Sequence, residues 1–140
     1  MAAERAVYVV DDEVDVLRAL SRLLRSDGLP VRTFNDACAF VDLIEPDSAG
    51  CILLDLSMPE LDGLAVQRLL VEKGCRLPVI FLSGNADAVA SASALQQGAV
   101  DFLSKPVDGD ELLRAVRAAL RADDDARTAG RPAPGSGSGP

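Results

Sequence analysis

Five short apolar runs, at residues 6–10, 31–34, 51–54, 79–82 and 100–103, constrain this chain more than any other feature, because a helix-patterned segment follows each of them. Runs this short have the length of strands and are too brief for packed helices. Strand and helix alternating five times require crossover connections, which are right-handed and lay helices on both faces of a parallel sheet. The expected fold is therefore α/β and doubly wound, with functional groups gathered in the loops that leave the C-terminal ends of the strands. The first, third and fourth runs are almost continuously apolar, as strands covered on both faces are. The second and fifth are interrupted by polar residues such as Arg32, Thr33 and Asp101, as suits edge strands.

Stripes and stops place the helices. Residues 14–26 carry Val16, Leu17, Leu20, Leu23 and Leu24 on one side and meet Gly28. Residues 36–44 are closed by Pro46, residues 63–73 by Gly74 and residues 86–97 by Gly98. The last helix follows Asp108, with Glu111 completing a capping box and Leu112, Leu113, Val116 and Leu120 forming a buried stripe. Residues 86–97 offer only Val89 and Leu95 as large apolar side chains, so this helix is expected to be weakly anchored and able to shift. After Arg121 the stripe stops, and residues 129–140 hold three of the eight prolines and four of the eleven glycines. Residues 1–122 are thus expected to form one domain and 123–140 a flexible tail or linker.

The chain has 140 residues, no histidine, and 22 acidic against 14 basic side chains, a net charge of −8. The missing imidazole removes His-based triads and His-ligated zinc, and it prevents this chain from being a phosphohistidine donor. The acidity argues against a surface for a phosphate backbone, so no direct nucleic-acid contact is expected of this segment. There is no run of 18 apolar residues and no signal-like segment, which leads to the expectation of a cytoplasmic protein without membrane contact. Cys38, Cys51 and Cys75 are odd in number and far apart, and read as reduced structural thiols.

At the C-terminal ends of the strands stand Asp11 and Asp12, then Asp55, Ser83 and Lys105. Each has an ordinary reading alone: acids beside a helix N-terminus, a turn residue, a cap, a solvated lysine beside Pro106. Turn formation gives no reason for three acids, a hydroxyl and a lysine to meet at one end of a sheet. Clustered carboxylates repel unless a cation neutralises them, and hard oxygen donors in a partly open site suit Mg²⁺. The set fits phosphoryl transfer to a carboxylate, with Asp55 as nucleophile, a metal on the phosphoryl oxygens, and Lys105 and Ser83 binding the rest.

The motifs Val9-Val-Asp-Asp-Glu13, Leu53-Leu-Asp-Leu-Ser-Met-Pro-Glu-Leu-Asp-Gly63, Phe81-Leu-Ser-Gly84 and Gly98-Ala-Val-Asp-Phe-Leu-Ser-Lys-Pro106 resemble those of receiver domains of two-component response regulators. The resemblance spans about residues 6 to 121, and the intervals of 28 and 50 residues from Asp55 to Ser83 and Lys105 look closest to the FixJ-like group. It implies a flavodoxin-like, five-stranded parallel sheet of order 2-1-3-4-5 with five helices. It also implies that Asp55 accepts a phosphoryl group from a sensor histidine kinase or a histidine phosphotransfer protein. Mg²⁺ would be held by Asp12, Asp55 and the backbone carbonyl of Ser57, and by Asp11 through water. Lys105 would pair with Asp55 and then with the phosphoryl group, and the Lys105–Pro106 bond would be cis. Ser83 would be the switch hydroxyl and Phe102 the switch aromatic.

The surface of residues 86–97, 100–103 and the last helix would then respond, forming a phosphorylation-dependent homodimer or partner contact. Control of transcription through a DNA-binding domain outside these residues is the expected output, with a stand-alone phosphorelay receiver as the alternative. Enzymatic activity is not expected beyond self-phosphorylation from small donors and slow autodephosphorylation. A Mg²⁺-dependent phosphohydrolase using an aspartyl phosphate is the remaining alternative, and Ser57 counts against it by standing where such enzymes carry a second Asp.

Overall fold

The structure, a computed structural model, describes residues 5–56, 63–84 and 100–129. Five strands, β1 (Arg5–Val10), β2 (Val31–Phe34), β3 (Ala49–Asp55), β4 (Val79–Ser83) and β5 (Asp101–Ser104), form one parallel sheet in the order β2-β1-β3-β4-β5. Four helices lie among the described residues: α1 (Val14–Ser26), α2 (Ala37–Leu43), α3 (Gly63–Lys73) and α4 (Gly109–Ala129). The segment 86–97, read as a further helix and a mobile element, falls outside the described residues, while residues 100–103 and the last helix, the rest of the surface assigned with it, lie within them.

Central strands β3 and β4 are buried along their whole length, while the edge strands β2 and β5 mix buried and exposed positions. Successive strand residues point to opposite faces, so one strand supplies two cores. Val7, Val9, Leu53, Ile80 and Leu82 meet Leu17, Leu20 and Leu24 of α1 and Leu112, Val116 and Leu120 of α4. Ala6, Tyr8, Val10, Ile52, Leu54 and Phe81 meet Phe40 of α2 and Val66 and Leu70 of α3 on the other face. Each fully buried Leu or Phe contributes about 1.5–3 kcal/mol relative to exposure, which is why a chain of this size closes around its sheet.

Local signals set the helix ends. Asp36 caps α2, its Oδ1 accepting from Cys38 N at 2.9 Å and Ala39 N at 3.3 Å. Gly28, at φ 81°, ends α1 and lets Leu29 N reach back to Leu24 O at 3.1 Å. Asp108 starts α4, Glu111 N donating to its Oδ2 at 2.9 Å.

The last helix departs from expectation. It does not stop at Arg121 but continues to Ala129. The buried stripe of Leu112, Val116 and Leu120 runs on into Asp123, which is only 5% exposed. Its Oδ2 accepts from Gly50 N and from Arg127 Nε, both at 2.9 Å, and Arg127 Nη2 donates onward to Ser48 O. Arg5 pairs with Asp124 at 2.7 Å beside them. A triplet of acids that reads as a solvated tail is thus partly a fastening of α4 to the start of β3. Residues 130–140 lie outside the described residues. Among the described residues, no helix is long and apolar enough to cross a membrane.

Candidate functional site

Two elements bring the first acids to the crevice. Asp11 follows β1 directly, and its backbone N donates to Phe34 O at 3.1 Å, which extends the β1–β2 pairing by one bond. Its Oδ1 accepts from Glu13 N at 2.9 Å, a turn that fixes the side chain ahead of α1. Asp12 projects into solvent, while Asp11 is fully buried. Asp55 is the last residue of β3, in register with Leu82 and 4% exposed. One oxygen each from Asp11, Asp12 and Asp55 lies within 4.8 Å of the others.

On the other side, Ser83 closes β4 in register with Ser104 of β5 and is 3% exposed. Lys105 N donates to Ser83 O at 2.7 Å, tying the two residues through the backbone. The Lys105–Pro106 peptide is cis. Lys105 Nζ lies 2.8 Å from Asp11 Oδ2, 3.2 Å from Glu13 Oε1 and 3.5 Å from Asp55 Oδ1. Burial acts to lower the pKa of this ammonium. The hydrogen bond and charge of Asp11, with the charge of Asp55 and the hydrogen bond to Glu13, outweigh it and hold Lys105 above the usual lysine value.

The sequence-derived set is thereby brought together in space: Asp11, Asp12, Asp55, Ser83 and Lys105 share one end of the sheet. Phe102 sits on β5 opposite Phe81, partly buried against the α2–α3 core. Ser57 lies outside the described residues. Glu13 was not singled out from the sequence, although it closes the first motif. Its link to Lys105 spans 92 residues and leaves no periodic trace. An open groove of about 1030 Å³ runs along α1 and the end of β2, past Val14, Arg18, Arg22 and Phe34, but none of the clustered residues lines it. Volume alone therefore does not locate the chemistry.

The donor set fits a hard divalent cation. Asp11 Oδ2 is buried and, among the described residues, is paired with Lys105 alone, at 2.8 Å. A buried, under-satisfied carboxylate oxygen facing two further carboxylates is the arrangement a small cation relieves. Asp12, being exposed, leaves that arrangement open to solvent.

Residues 7–117 match the response regulator receiver domain family. The response regulator protein TmoT of Ectopseudomonas mendocina is 46% identical over 118 residues, covering 84% of this chain and 54% of TmoT. The transcriptional regulatory protein FixJ of Bradyrhizobium diazoefficiens is 35% identical over 121 residues, covering 86% of this chain and 59% of FixJ. The chain spans about half the length of these curated relatives. Among solved structures, the response regulator StyR superposes with a TM-score of 0.86 at 34% identity, covering 92% of this chain and 65% of StyR. Full-length FixJ from B. japonicum gives 0.82 at 33% identity, covering 91% and 63%. A family match over most of its length, relatives of this similarity and a common fold all agree: the chain belongs to the response regulator receiver domain family.

Proposed function

We propose that this receiver accepts a phosphoryl group on Asp55 from the phosphohistidine of a partner kinase or phosphotransfer protein. The observation that carries this reading is the placement of Asp55: a buried carboxylate at the end of a central strand, clustered with Asp11 and Asp12 and 3.5 Å from Lys105. In the transfer, an Asp55 oxygen attacks phosphorus and an O–P bond forms as the P–N bond to the donor imidazole breaks. The bonding pair returns to the imidazole nitrogen, which takes up a proton. Asp12, Asp55 and the Ser57 carbonyl, with Asp11 through water, would hold Mg²⁺, which would supply neutralising charge for the phosphoryl oxygens when bound.

Lys105 and Ser83 bind the remaining phosphoryl oxygens, and Phe102 turns into the space that Ser83 leaves. Contacts made only in the phosphorylated state are what shift the population toward the active conformation. The responding surface is that of residues 86–97, β5 and α4, which pairs with a second copy or a partner. FixJ is named a transcriptional regulatory protein, and we assign this chain a role in transcription control through a region outside these residues, exercised in the cytoplasm.

Incubation with Mg²⁺ and acetyl phosphate, followed by intact-mass measurement, tests the central step. Wild type gains one phosphoryl mass that hydroxylamine removes, and Asp55→Asn gains none. A wild-type protein that stays at its starting mass, with or without a cognate phosphohistidine donor, overturns the reading.

A further inference from the structure

One ammonium in the crevice is shared by three carboxylates, and only two of them belong to the cation-binding group. Lys105 Nζ is closer to Asp11 and Glu13, at 2.8 and 3.2 Å, than to Asp55 at 3.5 Å. Glu13 lies outside the Asp11–Asp12–Asp55 cluster, and its side chain is 62% exposed. It occupies the N-cap position of α1 yet makes no side-chain capping bond. Its backbone is held on both sides, Glu13 N donating to Asp11 Oδ1 and Glu13 O accepting from Leu17 N. A fixed backbone thus presents a carboxylate that the helix does not use, and Lys105 is its partner among the described residues.

We infer that Glu13 is a positioning residue for Lys105, a counter-tether that holds the ammonium on the β1 side of the crevice in the resting protein. The inference rests on Asp55 being the phosphoryl acceptor. A cation bound by the aspartates competes with Lys105 for Asp11 and Asp55 but leaves the Glu13 charge in place. A phosphoryl group on Asp55 brings nearly two charges and three acceptor oxygens, enough to draw the ammonium off a single exposed carboxylate. Glu13 therefore opposes engagement of Lys105 until that group arrives. Exposed ion pairs of this kind shift an equilibrium about two- to fivefold.

Beryllofluoride, a phosphoryl mimic that adds to carboxylates, provides the test in the presence of Mg²⁺. Glu13→Gln should bind it about two- to fivefold more tightly than wild type, with a thermal midpoint in its absence lowered by no more than about 5 °C, and the gain should vanish in a Lys105→Met background. An equal gain in that background marks a general effect of removing an acid and overturns the inference, as does no gain at all. The ¹⁵N resonance of the Lys105 ammonium in the free protein gives a second measure: it should move in Glu13→Gln, and an unmoved resonance is fatal even if Lys105→Met binds no mimic. Absence of beryllofluoride binding to wild type, or equal binding to Asp55→Asn, instead counts against Asp55 as acceptor.

Discussion

Two buried aspartates stand at opposite ends of the sheet and are treated differently. Asp123, 5% exposed, directs one oxygen at two donors, Gly50 N and Arg127 Nε. Asp11, fully buried, has an oxygen paired, among the described residues, only with an ammonium also claimed by Glu13 and Asp55. Buried polar groups that are fully paired stiffen a fold, whereas partly paired ones keep free energy in reserve for a ligand. The same side chain is therefore a fastening at the N-terminal ends of the strands and an under-satisfied oxygen donor at their C-terminal ends.

The contrast can be broken by substitution. The largest effect is expected at Gly50, whose φ is 130° and where an added Cβ would lie 1.8 Å from Ala6 O. Gly50→Ala should cost more than about 4 kcal/mol and leave little folded protein; a urea midpoint near wild type would show that the fastened end yields easily. Next, Asp123→Ala strands the Gly50 N–H and the Arg127 Nε–H, with an expected loss of about 2–4 kcal/mol in urea unfolding. Asp11→Asn should cost less than about 1 kcal/mol in metal-free protein, because relief of carboxylate repulsion offsets the weakened Lys105 pair. Equal losses at the two positions would erase the distinction. Mg²⁺ should raise the thermal midpoint of wild type in a concentration-dependent way, and Asp11→Asn should lose most of that response.

An effect confined to alkaline pH concerns Cys51, beside the fastened end. Burial, reinforced by the charge of Asp123, pushes its thiol from 9.0 up to about 12. A group raised in the folded state stabilises below its unfolded pKa and loses that contribution as pH climbs toward the folded value. Stability should thus fall between pH 9 and 12, by about 1 kcal/mol near pH 9.5–10, relative to Cys51→Ala. Parallel pH profiles for the two proteins would count against an ionisation-resistant thiol there.

How much of this was legible in the sequence follows from which forces act locally. Strand identity and the edge positions of β2 and β5 could be read because burial on one or two faces is written in every residue of a strand. Asp108 could be read because caps act over three residues, whereas Asp36, placed inside its helix by the sequence, is the residue that caps it. The extent of α4 could not, since Asp123 is helical and buried on account of Gly50, 73 residues away. Its one local sign was Arg127, placed four residues later to form an i,i+4 pair. In the crevice, Asp11, Asp12, Asp55, Ser83 and Lys105 were legible because each ends or follows a strand. Glu13 was hidden because its partnership depends on a distance across the fold rather than on spacing.

The length of α4 has a mechanical meaning. Its 21 residues make a rod of about 31 Å that begins four positions after Lys105 and is bolted at its far end to β3. A rod pinned at one end turns displacement at the other into rotation, so a tilt of about 2° corresponds to travel on the order of 1 Å at the Lys105 end. Asp123 and Arg127 hold the far end of that helix, and they carry Ala129 to the end of the sheet opposite Asp55.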